Sequence, residues 1–169
     1  MILTKFMLVD LGMSVFVVGL VFGVGSLGGV LGAVIAMRVA RKLGVGMAII
    51  VGSILFSVLS VCFFFATPAN GIYLSAAILF FSFIGVLIYN VSQVSYRQAL
   101  VPTEIQGRMN ASIRTLVWGI IPVGSLMGGV AADLLGVRET VVTMAALTIL
   151  APLWVVFSPV RRVKEFPQN

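Results

Sequence analysis

The side chains of this sequence that could do chemistry are few, and they cluster. There is no histidine, and the five carboxylates, Asp10, Glu104, Asp133, Glu139 and Glu165, all lie near the ends of apolar runs. Catalysis inside such runs would need a nucleophile with its base, paired carboxylates or a set of metal ligands. None can be assembled at depth, so the sequence does not read as an enzyme and calls for no cofactor or metal. The lone Cys62 excludes an internal disulfide and a Cys-based metal site, and reads as a small packed hydrophobe.

The remaining polar chemistry sits on two helical faces. Asn90, Gln93 and Arg97 are spaced to share one face, and Asn110, Arg114 and Trp118 step by four along the next helix. Polar groups in a lipid-embedded helix turn towards the bundle interior or a water-filled cavity. The expectation is a vestibule in which Asn90, Gln93 and Arg114 contact substrate and Trp118 forms an apolar or stacking wall. A second reading of Asn90, Gln93 and Arg114 stands beside it: the amides bond between helices and the arginine snorkels to lipid phosphates. No carboxylate or histidine lies mid-span to act as a proton relay.

The elements that position these faces follow from composition. The 169 residues are 60% hydrophobic and 9% charged, against about 25% charged in soluble domains, and mean hydropathy is +1.19. Lipid is therefore the solvent for most of the surface. The net charge of +6 does not point to nucleic acid, because the basic residues fall in short clusters between apolar runs. The expected fold is an all-α membrane protein, one polytopic membrane domain over 1–169 with spans at about 11–37, 44–66, 72–96, 109–134 and 140–158. Ser14 is a candidate N-cap, Gly44 a corner, Thr67–Gly71 the turn that splits the longest apolar run, Gly136 a break, and Pro122 a bend. Met1–Val9 is too short for a full signal segment, and no small-residue cleavage site follows it.

Two basic loops and a tail connect these spans: 38–43 with Arg38, Arg41 and Lys42; 97–108, bracketed by Arg97 and Arg108; and 159–169 with Arg161, Arg162 and Lys164. In the second, Pro102 is expected to stop the arriving helix and Gly107 to allow a sharp turn. The positive-inside rule puts both loops and the carboxyl-terminal tail in the cytoplasm of a multi-pass inner-membrane protein, leaving Lys5 and Arg138 outside. Arg97 and Arg108 then rim an inner gate. Arg38, Arg41 and Lys42 either latch that gate by pairing with acidic groups or simply mark the cytoplasmic side. Asp133, at an outer helix end, calls for a cationic partner such as Arg138.

Small residues recur at three- and four-residue steps in the first span, with Gly25, Gly28, Gly29 and Gly32, and again in the fourth, with Gly124, Gly128 and Gly129. Such stripes let helix backbones approach closely in lipid. Val24-Gly25-Ser26-Leu27, Gly28-Gly29-Val30 and Leu43-Gly44-Val45 are echoed by Val123-Gly124-Ser125-Leu126, Gly128-Gly129-Val130 and Leu135-Gly136-Val137. The two copies run in opposite directions through the membrane, the arrangement of an inverted repeat.

Arg97-Gln98-Ala99-Leu100-Val101-Pro102 with Gly107-Arg108, the stretch Arg38-Val39-Ala40-Arg41-Lys42-Leu43-Gly44, and Phe157-Ser158-Pro159-Val160-Arg161-Arg162 resemble the carboxyl-terminal half of a major facilitator superfamily transporter. Within that family the likeness is to bacterial drug and siderophore exporters. The resemblance implies five helices of a six-helix half, helices eight to twelve, with Met1–Val9 as the stub of helix seven. It implies a partial secondary active transporter, an efflux permease and antiporter for small amphipathic molecules, working by alternating access. Its implied partners are the lipid bilayer, a missing amino-terminal half that would carry the titrating residue, and a small-molecule substrate. The alternative is a non-transporting membrane interaction or scaffold protein derived from a transporter half.

Overall fold

The structure is a computed structural model that describes residues 2–158 and 163. The remainder of the expected basic tail, with Arg161, Arg162 and Lys164, lies outside the described residues. A short helix α1 (Ile2–Lys5) runs into a π-helical turn at Phe6–Asp10. Then come α2 (Val15–Leu43), α3 (Val45–Val61, extended by a 3-10 turn at Cys62–Phe65), α4 (Gly71–Leu100), α5 (Thr103–Leu135), α6 (Val137–Thr148) and α7 (Leu150–Phe157). Among the described residues every regular element is helical, and five stretches are long and apolar enough to cross a membrane, α6 and α7 counting as one.

The helix ends follow local chemistry. Ser14 caps α2 by accepting from the Val17 amide at 3.3 Å. Gly44 (φ 87°, ψ 152°) and Gly136 (φ 96°, ψ 155°) are single-residue corners with the same backbone shape. Their positive φ favours glycine, and the echo Leu-Gly-Val is thus repeated in conformation as well as in sequence. The turn before α4 is held by Asn70, whose Oδ1 accepts from the Thr67 amide at 2.8 Å and its hydroxyl at 3.0 Å.

Two expected loops are instead helical. Arg38, Arg41 and Lys42 lie in the last turns of α2, where cations favour the negative end of the helix dipole, and Gly44 alone makes the connection. Of residues 97–108, only Val101 and Pro102 lie between helices. Arg97-Gln98-Ala99-Leu100 are good helix formers and continue α4. Val101 is extended, as a residue before proline prefers, and α5 starts straight after Pro102. Gly107 is helical, with open space beside it, and is no turn. The joint is stapled by Gln106, whose Nε2 donates to the carbonyls of Gln98 at 2.9 Å and Val101 at 2.8 Å.

Glycines set the packing of α2, α3 and α4. A methyl at Gly28 would land on the Phe80 backbone, and one at Gly32 would lie 2.7 Å from the Ile84 carbonyl oxygen. Gly25 meets Leu79, so partner numbers rise together and α2 runs parallel to α4. Gly52 and Gly85 bring α3 against α4, each within 2.7 Å of the other's carbonyl oxygen if a Cβ were added. The matching stripe of α5 behaves differently: Gly128 touches Ile2 of α1, while Gly124 and Gly129 face open space. Gly128 and Ala132 are the buried residues of α5. Expected packing at Gly124 and Gly129 is therefore absent among the described residues.

The last span is broken by Pro152, which has no amide hydrogen to give the carbonyl of Thr148 four residues back. The buried Ser57 hydroxyl of α3 takes that carbonyl instead, at 2.9 Å.

Candidate functional site

Helix α4 carries Asn90, Gln93 and Arg97 one above another towards its end, and α5 leaves the joint carrying Asn110, Arg114 and Trp118. The structure brings all six around one cleft of about 720 Å³, completed by Tyr89, Val94, Ile113 and Val117. The cleft opens because α5 departs from α4 beyond the stapled joint instead of packing along it.

Its walls carry several kinds of group. The Arg114 guanidinium carbon lies 5.6 Å from the Trp118 ring centroid, a cation–π geometry. Trp118 is 65% exposed, so its ring presents a free face. Asn90 donates from Nδ2 to the Val86 carbonyl at 3.2 Å, bonding within its own helix rather than across to another. Arg97 is half-buried, and its Nε is enclosed without a partner among the described residues. Ser112 and Thr115 donate back to the carbonyls of Arg108 and Ala111 and stay outside the cleft. The arrangement offers two guanidinium groups, three amides and an indole: it can hold a polar or anionic group beside a flat apolar surface. Among the described residues no carboxylate lines it.

Arg38, Arg41 and Lys42 are exposed at the same end of the bundle and do not reach the cleft. Among the described residues the ion pair found is Lys5 with Asp133, 3.7 Å apart, so the basic cluster shows no acidic latch there. Asp133 pairs with Lys5 and not with Arg138, whose guanidinium donates to the Phe64 carbonyl at 3.0 Å. Arg108 is exposed on the first turns of α5, outside the cleft lining. The Val163 carbonyl accepts the Gly46 amide at 3.0 Å, so this part of the tail meets the start of α3 at that same basic end.

The sequence reading missed Tyr89, which lines three adjoining hollows, and Gln106, which holds the joint. Tyr89 was legible as one more polar residue in the graded end of α4. Gln106 gave no local signal, because its acceptors lie across the turn.

Comparisons with curated proteins and with solved structures give no match to this chain. A family profile does match, over residues 1–169, and its description is Major Facilitator Superfamily. With five membrane-length helices, glycine-packed and joined by short connections, the chain belongs to the Major Facilitator Superfamily, a family of transporters.

Proposed function

We propose that this chain is part of a secondary active exporter of small amphipathic molecules, working by alternating access together with an amino-terminal half. The cleft between α4 and α5 is its share of the substrate vestibule, with Asn90, Gln93, Arg114 and Trp118 as contacts and Arg97 at the rim. The carrying observation is that amide, guanidinium and indole groups from two helices converge on one hollow of about 720 Å³, within the size range of small-molecule sites.

Three features support the reading. The cleft has walls on α4 and α5 alone, which suits a vestibule closed by a second bundle. The stripe of α2 is filled by α4, whereas among the described residues its echo on α5 is met only by Ile2, which suits a further helix lying there. Arg97 and Arg114 in a hollow without carboxylates favour neutral or anionic substrates. A proton-coupling carboxylate would then belong to the other half, making the whole an antiporter. The positive-inside rule supports a cell-membrane location with the basic end and carboxyl terminus in the cytoplasm.

The test is efflux of neutral, anionic and cationic fluorescent amphiphiles by cells expressing the chain joined to its amino-terminal half. Gln93→Ala and Arg114→Ala should lower efflux at unchanged membrane expression. The chain alone in proteoliposomes should match empty vesicles. Unaltered efflux by both variants would sink the vestibule, and transport by the chain alone would sink the need for a second half.

A further inference from the structure

A second set of hollows runs along the opposite flank of α4, where it faces α3 and α6–α7. The first, about 370 Å³, lies at the basic end and is edged by Ile49, Gln93, Tyr96, Arg97 and Trp154. The second, about 310 Å³, lies deeper between Gly52, Phe56, Val86 and Ala151. The third, about 300 Å³, continues between Phe63, Leu79, Phe83 and Met144. Tyr89 and Val155 line both the first and the second, and Phe56 and Thr148 both the second and the third. They form one slot.

The slot is amphipathic along its length. Its basic end is lined by Arg97, Tyr96 and Gln93, which bring a guanidinium, a phenol and an amide to the mouth. Beyond Tyr89 the walls are carbon. Ser53, Ser57, Ser60 and Thr148 donate their hydroxyls to the carbonyls of Ile50, Thr148, Phe56 and Ala145, which leaves Ser82 as the hydroxyl with an unused hydrogen. The Ser57 bond holds α6 to α3 at Thr148, on the border of the second and third hollows.

We propose that this slot binds one acyl chain of an anionic phospholipid from the leaflet at the basic end, with its phosphate at Arg97. From Arg97 to Val86 along α4 is about 16 Å at ~1.5 Å per residue, and half of a ~30 Å hydrocarbon core is about 15 Å. The first two hollows thus match one leaflet in depth, and the third receives the end of a longer chain. Trp154 stands 82% exposed at the mouth, where an indole suits the headgroup level. The slot lies on the flank of α4 turned towards the last span, so a lipid enters sideways from the bilayer without crossing the α4–α5 cleft. Arg97, which edges both, is the residue through which bound lipid would be felt at the cleft.

The test uses the full chain in vesicles containing phosphatidylglycerol with a photoactivatable diazirine in its acyl chain, against matched phosphatidylcholine. After irradiation, adducts mapped by mass spectrometry should concentrate on Phe56, Val86, Ala151 and Val155. Arg97→Gln should lower capture of phosphatidylglycerol by roughly tenfold, the loss of a charge-assisted hydrogen bond, and bring it to the phosphatidylcholine level; Arg97→Lys should restore part of it. Ala151→Phe, at an exposed position that tolerates bulk, should block labelling below it. Adducts spread evenly over exposed residues such as Ile120 and Leu126 would overturn the site. Equal capture of the two lipids by the unaltered chain would overturn the anionic headgroup.

Discussion

The sharpest structural prediction concerns two glycine stripes of similar sequence and opposite packing. In Gly32→Ala the new methyl sits 2.7 Å from the Ile84 carbonyl oxygen and 2.8 Å from its Cα, where ordinary contact begins at 3.4 Å. Helix α4 must therefore retreat by about 0.7 Å (3.4 minus 2.7) along a backbone that has no flexible end to yield. Overpacking of this kind costs about 1–3 kcal/mol, and alanine returns about 1 kcal/mol of helix propensity. The net loss is about 0–2 kcal/mol, a fall in melting temperature of up to about 8 °C for a chain of this size. Gly28→Ala strikes the Phe80 backbone more directly and should fall at the upper end. Gly119→Ala and Gly124→Ala meet nothing within 4 Å and should keep or raise stability. The assay is thermal unfolding of the purified chain in detergent, read by a thiol-reactive dye at Cys62, which is partly buried against the core. If Gly32→Ala melts at or above the unaltered chain while Gly124→Ala melts lower, the assignment of the packed stripe to α2 is refuted.

Other perturbations test single bonds. Ser57→Ala leaves the Thr148 carbonyl without its donor and should cost about 1–3 kcal/mol in the same melt; adding Pro152→Ala supplies a backbone amide and should recover part of the loss, whereas equal losses with and without Pro152 would disprove the substitution of one donor for another. Gln106→Ala removes both donations across the joint and should cost about 1 kcal/mol, with faster hydrogen exchange confined to the last turn of α4 and the first of α5. Lys5→Ala and Asp133→Ala should each change stability by less than about 1 kcal/mol, because the pair is 3.7 Å apart and its side chains are 53% and 78% exposed. A larger shift in either melt would mean that the pair anchors α1 to α5.

The sequence made the helices readable and their connections less so. Apolar run length marks where a helix must be, since lipid admits only helices and closed barrels and runs of about 20 residues fit the helix, and the Ser14 cap and the Gly44 and Gly136 corners carry local chemistry that needs no tertiary information. Polarity, in contrast, does not distinguish a loop from a helix that has left the hydrocarbon. Arg97–Leu100 continue α4 because their residues favour helix, and Thr103–Arg108 are helical, Gly107 included, because the joint takes up only two residues. Asp133 was assigned the cation nearest in sequence, Arg138, but the fold brings Lys5 of α1 to it from the other end of the chain. Side-chain periodicity did collect the faces of the α4–α5 cleft, because three- and four-residue spacing acts within one helix. It could not show the slot, which depends on Ser57 reaching a carbonyl 91 residues away. Pro152 was the visible sign that such a carbonyl exists.

The hollows lie beside the seams that glycine closes. Where Gly28 and Gly32 sit, the α2 and α4 backbones meet and no room is left for a ligand, whereas Gly52 meets α4 on one side and edges the second hollow on the other. Around Tyr89, Gln93 and Arg97 of α4, space opens towards α5 on one flank and α7 on the other. A rigid α2–α3–α4 block therefore carries one polar ridge, with a loosely packed helix on each side of it. Motion of either helix changes the hollow beside that ridge while the glycine contacts hold the block together. Substituting Tyr89 should accordingly disturb both flanks, because its ring borders the slot and the cleft alike. Tyr89→Ala should lower lipid capture and substrate efflux together, whereas Trp118→Ala, on the cleft side only, should lower efflux and leave lipid labelling intact. A Tyr89→Ala variant that lost one property and kept the other would show that the two flanks do not share this ridge.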